Sequence, residues 1–324
     1  MNKQITLSDL SDELSQVQTK KKDFLDQIER IIPWGKWIEL IQPCYYKGER
    51  GNKPYDLEQM LRIYLIQNLY SLSDMATVAE VIDSRAFSEF CGVESSNQVP
   101  DGDTLVCFRN LLIDNGIQEK LFAQVLELLS ERNLILKKGT IVDSTIIAAP
   151  SSTKNRKKKR DPDAHQVKKG NTWHFGYKAH IGVDKGSGLV HTLEVTSANV
   201  HDVTMTSKLL TGEETTVHGD SGYLGAEKRE DAIIRNDQGK RIKYKINRRP
   251  SQSRNRSVRS QGQIKRRKHE KSSIRAKVEH VFGVVKGQLR FKKTRYRGLQ
   301  KQIAKCNFVR VGAPSQADRP CLSA

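Results

Sequence analysis

Three things are scarce in this 324-residue chain: long apolar runs, paired cysteines and, over one stretch, acidic side chains. No apolar run approaches the roughly 18 residues of a membrane helix. The start, MNKQITLSDLSDEL, has no apolar core followed by a cleavage site, so no secretion signal is expected. A hydrophobic fraction of 36% and a mean hydropathy of −0.62 fit a polar, soluble protein. Five cysteines (Cys44, Cys91, Cys107, Cys306 and Cys321) are scattered without a CxxC pair. Their odd number and spacing fit neither a disulfide framework nor a zinc site, and a reducing cytoplasm is the expected setting.

The shortage of acids is local. Between Lys240 and Arg297 stand 22 Lys or Arg against two acids, Glu270 and Glu279, while the rest of the chain nearly balances. Essentially the whole net charge of +19 therefore lies in one segment. A long block of one sign favours a polyanion, and nucleic acid is the expected partner because each neutralised phosphate releases condensed counterions. A membrane surface fits less well, since Arg248–Lys271 has too few apolar residues to form a membrane-lying face.

Residues from about 6 to 135 read as all-helical. Tyr55–Tyr70 places Leu57, Met60, Leu61, Tyr64, Leu65 and Leu69 at helical spacing. Ser73 and Asp74 offer N-caps for Met75–Ile82, Asp103 and Thr104 open Leu105–Ile113, and Gly116 precedes Gln118–Arg132. Helix, short turn, helix suits a DNA-binding module as well as a plain bundle. At Gly139 the texture turns to β: GTIVDSTII reads as a strand, Lys154–Gly170 as a basic loop, and Tyr177–Val183 with Leu189–Val195 as a hairpin. His201-Asp202 leads into a short helix that Asp202 is expected to cap, with a supporting role behind the acidic residues as its alternative, and Thr215–Gly219 is the next strand, with Asp220 at its end. Strands interspersed with helices predict an α/β layer structure behind the helical region.

The stretch Ser273–Arg290 organises the rest. At about 100° per residue, Arg275, Glu279 and Lys286 fall within roughly 40° of one another, beside a stripe of Val278, Phe282, Val285 and Leu289. This predicts a helix with a buried apolar stripe and one carboxylate between two cations. Asp143 and Asp220 end strand-like segments elsewhere, and three such acids can converge on metal ions. Each aspartate also has an ordinary reading as a turn residue. His180, His201 and His218 share no known ligand spacing and are expected to be structural or close to DNA. Trp173, Phe175 and Tyr177 alternate along an extended segment and read as core and platform more readily than as base-stacking residues.

A strand Asp, a strand-end Asp and a helix Glu, in that order, resemble the RNase H-like DDE transposases of bacterial insertion sequences. The likeness is nearest to the IS-four/IS-five group, whose glutamate signature is Tyr, two residues, Arg, three residues, Glu, six residues, Lys. Arg275, Glu279 and Lys286 keep those spacings, whereas Ser272 stands at the tyrosine position. VPDGDTLVCFR, VDSTII, DPDAHQVKKGNTWHFGYKAHIGVD, TSANVHD and GDSGYLG also resemble that group, over roughly residues 30–300. The resemblance implies an RNase H-like catalytic core over about 136–300, with a basic insertion at about 240–273, preceded by a helical N-terminal domain over 1–135. It further implies Asp143, Asp220 and Glu279 as catalytic, metal-holding acids for Mg²⁺, with Mn²⁺ as a substitute. Arg275 and Lys286 are expected on DNA phosphates, as are Arg248, Arg249, Lys265, Arg266, Arg267 and Lys268 of the basic segment. Double-stranded DNA, as the element's terminal inverted repeats and as target, is the implied partner, with self-association on DNA and no membrane. The implied reaction is cleavage at the element's ends followed by strand transfer. The alternative is a relative that grips terminal repeats without cutting.

The end of the chain departs from that family, which usually adds an apolar helix packed on the core. Cys306–Ala324 holds Gly312, Pro314 and Pro320 without a helical apolar repeat. A helix starting near Leu299 is therefore expected to stop by about Val311, with Ala313–Ala324 loosely held and part of the core uncovered.

Overall fold

Short polar side chains start the N-terminal helices. A computed structural model describes residues 18–45, 53–136, 139–154, 158–247 and 273–317. Its first helices are α1 (Lys20–Ile31), α2 (Trp34–Ile41), α3 (Leu57–Leu69), α4 (Asp74–Asp83), α5 (Arg85–Cys91), α6 (Gly102–Asp114) and α7 (Ile117–Glu131). Thr19, Asp56, Ser73 and Asp101 each accept a backbone N–H of the first turn of α1, α3, α4 and α6. Asp101, not Asp103, opens α6, which starts at Gly102. An Asp one residue before the helix reaches the orphan N–H of Thr104 at 2.7 Å, whereas Asp103 already lies inside the first turn.

The sheet follows: β1 (Thr140–Ala148), β2 (His165–Lys169), β3 (Thr172–Asp184), β4 (Val190–Ser197), β5 (Thr216–Gly219) and β6 (Lys243–Ile246). Its order is β2-β3-β1-β5-β6, with β4 also on β3. β1 is antiparallel to β3 and parallel to β5, and β5 is parallel to β6. A mixed sheet flanked by helices, behind a helical N-terminal region, is the α/β architecture expected of an RNase H-like core. Two strands go beyond the sequence expectation. β2 lies within the stretch read as a loop, because HQVKK has no apolar alternation and only Val167 is even half-buried. β6 lies inside the basic segment, where charge masks a single buried position, Ile246.

Two helices close the core. Residues 273–283 form α8, which continues as a π-helical turn at Val284–Gln288. The buried residues are Val278, Val281, Val284 and Leu289, with Phe282 and Val285 only half-buried against them. The stripe departs from the 3.6-residue expectation because Leu289 donates its N–H to Val284, five residues back, at 2.9 Å.

The last helix, α9 (Leu299–Ala317), corrects the expectation for the chain's end: it passes Gly312 and Pro314 instead of stopping by Val311. Asp163 fixes its start by accepting the Leu299 N–H at 2.9 Å, and Ala304, Cys306, Phe308 and Val309 are buried. Pro314 forfeits its own N–H bond, and the burial of Ala304, Cys306, Phe308 and Val309 on the core anchors the helix that passes it. Phe308 sits edge-on to both Trp37 and Tyr64, and α9 packs on β4, α7, α3 and α1. The face expected to be uncovered is filled, and Ile141, Ile147, Tyr177 and Ile181 of the sheet share one apolar cluster with the N-terminal helices. Leu322 lies outside the described residues. Among the described residues no helix is long and apolar enough to cross a membrane.

Candidate active site

Parallel pairing brings the two aspartates together. Thr140 pairs with Val217 and Ile141 with His218, and the same register carried two residues further sets Asp143 beside Asp220. Asp143 is mid-strand, yet its side chain is only 14% exposed. Its Oδ1 accepts the Ser144 N–H at 2.8 Å, and its Oδ2 accepts a guanidinium N–H of Arg275, from α8, at 3.2 Å. Burial raises the Asp143 pKa above the usual carboxylate range. The Ser144 N–H and Arg275 oppose that rise, and the neighbouring Asp220 adds to it. Asp220 also holds its own turn, because its Oδ1 accepts the Gly222 N–H at 2.8 Å. The turn reading and the site reading of this residue are therefore compatible.

A third aspartate joins from a segment expected to do something else. Asp202 makes no capping bond at its 3-10 turn (Asp202–Met205). Its Oδ1 instead meets the Lys178 amine at 3.0 Å, with His180 Nδ1 at 3.7 Å. Lys178 also donates to the Val200 carbonyl at 2.7 Å. His180 is fully buried against the Thr196 hydroxyl at 2.9 Å, and burial pulls its pKa down to about 4, so it is neutral at pH 7. A side-chain carbon built on Gly222 would lie 3.0 Å from Asp220 Oδ1 and 3.6 Å from Asp202 Oδ2. The two carboxylates thus flank the space beside Gly222, where a side-chain carbon would press on Asp220. Tyr223 is buried beside them, and burial together with the charges of Asp202, Asp143 and Asp220 holds its hydroxyl well above its usual pKa. HD in TSANVHD and GY in GDSGYLG were the available sequence signals for this shell. The Lys178–Asp202 pairing joins residues 24 apart and was not legible from local pattern.

Glu279 is exposed on α8, one turn beyond Arg275 and on the same flank. Among the described residues no three acidic, His or Cys side chains are grouped closely enough to hold a metal ion. The structure thus brings Asp143, Asp220 and Arg275 together and adds Asp202 and Tyr223, with Glu279 exposed one helical turn past Arg275. Lys286 lies in the π turn, where burial and the cations Lys169 and Lys292 lower its affinity for a proton. Arg248, Arg249, Lys265, Arg266, Arg267 and Lys268 lie outside the described residues.

The DPDA stretch, quoted above for its resemblance, has a structural task. Asp161 Oδ2 accepts the Tyr177 hydroxyl at 2.6 Å and the Gly298 N–H at 3.1 Å, tying β3 to the start of α9.

Comparison with protein families gives two matches. Residues 135–309, more than half the chain, match the model of the Transposase DDE domain. Residues 12–111 match the Transposase domain (DUF772). No solved structure matches the chain.

Proposed function

The chain belongs to the Transposase DDE domain family, and from that premise we propose that it cuts the ends of an insertion sequence of the IS-four/IS-five kind and joins them to target DNA. The observation that carries this reading is the adjacency of Asp143, within β1, and Asp220, just past the end of the parallel β5, with Arg275 from α8 on Asp143. Two carboxylates fit a hard cation such as Mg²⁺, which takes oxygen ligands and is commonly held by one or two carboxylates plus substrate phosphates. Asp143 and Asp220 would hold it, and Glu279 would complete the set when α8 brings its carboxylate in. Bound there, the metal would supply charge neutralisation at the phosphate and a more acidic nucleophile. Arg275, on α8, and Lys286, in the π turn that continues it, would hold DNA phosphates. Self-association on DNA belongs to the same proposal.

The test is nicking of DNA carrying the inverted repeats that flank the gene, with Mg²⁺ present and absent. Asp143→Ala, Asp220→Ala and Glu279→Ala should each abolish cleavage and spare DNA binding. Cleavage retained in all three would exclude the assignment. The rival reading is a DNA-binding relative that does not cut, which Ser272 at the tyrosine position of the glutamate signature leaves open. Wild-type protein that binds the repeats but never nicks them would establish that rival.

A further inference from the structure

The β2–β3 hairpin presents an aromatic side chain to solvent on a basic ribbon. Among the described strands β2 pairs with β3 alone, and Gly170, at φ +61°, turns one strand into the other. The register sets Lys168 opposite Trp173 and Gln166 opposite Phe175, so these four share one face of the ribbon. Along β3 the alternating aromatics go steadily inward. Tyr177 is fully buried and Phe175 is half-buried under the Arg160 guanidinium, but Trp173 is 63% exposed. Trp173 is the one exposed aromatic among the described residues. The core reading of the alternation therefore holds for Tyr177 and ends before Trp173.

The surroundings say what would cover that indole. Lys168 and Lys169 are exposed, and Lys169 lies close enough to Lys286 to weaken its hold on a proton, as does Lys292. Three cations are thus held near one another, an arrangement that a polyanion relieves and an apolar protein surface does not. Position points the same way. Asp143 pairs with Ile181, and Trp173 lies eight residues back along β3, on the same sheet face. At about 3.3 Å per residue that is roughly 26 Å from the aspartate. α8 runs from Arg275, on Asp143, to Lys286, near Lys169, so cations mark the way between the two places.

We infer that the β2–β3 ribbon is a second DNA-holding element. It lies in the major groove of the duplex about 8 base pairs from the bond held at Asp143 and Asp220, taking ~3.4 Å per base pair. Trp173 and Gln166 face base edges there, while Lys168, Lys169 and Lys286 meet phosphates. A two-stranded ribbon fits the roughly 12 Å width of that groove, and an indole offers apolar contact to thymine methyl groups. This rests on the proposed reading of the chain as a DNA-cutting transposase.

Tryptophan fluorescence tests it directly. Trp37 is fully buried and Trp34 packs between the Trp37 and Phe90 rings, so acrylamide quenching of the full chain reports mainly Trp173. The probe is a fluorescein-labelled 40-base-pair duplex of arbitrary sequence, whose anisotropy reports binding independently. Saturating duplex should shield the accessible tryptophan from acrylamide, and Trp173→Phe should remove that protectable fraction. Trp173→Ala should weaken binding roughly fivefold or more. Lys168→Gln combined with Lys169→Gln should reduce the slope of log K against log salt by about 1.8. All are exposed positions, and an unchanged melting temperature certifies the fold.

Duplex bound by anisotropy while Trp173 stays as open to acrylamide as before would overturn the ribbon and leave the transposase reading standing. So would an unchanged salt slope in the lysine variant. Absence of any duplex binding would overturn both. Shielding by anionic phospholipid vesicles but not by duplex would replace DNA with a membrane surface.

Discussion

Lys305 offers the sharpest quantitative test of how α9 is held. Its amine is buried where α9 crosses the end of α3 and donates to the Asn68 carbonyl at 2.6 Å. Burial lowers its pKa from 10.5 to about 7. Below about pH 7 the amine is charged in both the folded and the unfolded chain, and the folded state bears the whole cost of burying the charge. Between about 7 and 10.5 the unfolded chain keeps a proton that the folded chain has shed, so this group makes stability rise with pH. Above 10.5 the cost is gone. At 1.36 kcal/mol per unit, the full cost is on the order of 5 kcal/mol.

Lys305→Met removes that cost and keeps most of the stem's packing. It also gives up a hydrogen bond and a favourable charge at the last carbonyls of α3, together about 1–3 kcal/mol. The loss sits at the low end of that range, because the Ser71 N–H also bonds Asn68 O, at 3.3 Å, and the Leu72 N–H bonds Gln67 O, at 3.0 Å. The methionine variant should therefore be about 3–4 kcal/mol more stable than wild type at pH 6.5. The gap should close, or reverse slightly, by pH 10. Urea titrations of both proteins at several pH values between 6 and 10 measure it. Taking the difference cancels the other groups that titrate in that window. A variant less stable at pH 6.5, or a gap that stays constant with pH, would refute the reasoning.

Two further substitutions probe the acidic shell. Gly222→Ala puts a methyl group between Asp220 and Asp202, so cleavage should fall roughly tenfold or more with little change in melting temperature; undiminished cleavage would mean that the Asp220 carboxylate need not stay where it is. Asp202→Asn leaves the Lys178 amine without its counter-charge but still bonded to the Val200 carbonyl. It should cost about 1–3 kcal/mol in urea denaturation at pH 7, and a loss under 0.5 kcal/mol would show the pair to be dispensable.

What local pattern determines in this chain is considerable. Apolar periodicity with Ser, Thr and Asp caps defines the N-terminal helices, since capping depends on residues only two or three positions away. β-branched residues mark β1, whereas the adjacency of Asp143 and Asp220 comes from the parallel pairing of β1 with β5, two segments far apart along the chain. Charge clustering is equally visible, because it needs only composition.

The rest depends on contacts between distant segments. β2 exists because β3 supplies its hydrogen-bond partners, so a polar HQVKK becomes a strand without any apolar signal. α9 passes a proline and closes the core because Trp37, Tyr64 and the carbonyls of α3 receive it. Asp202 turns from the expected cap to a buried amine because Lys178 projects from the strand beside it. In each case the energy comes from burying or pairing groups far apart along the chain, which a reading of neighbouring residues cannot contain.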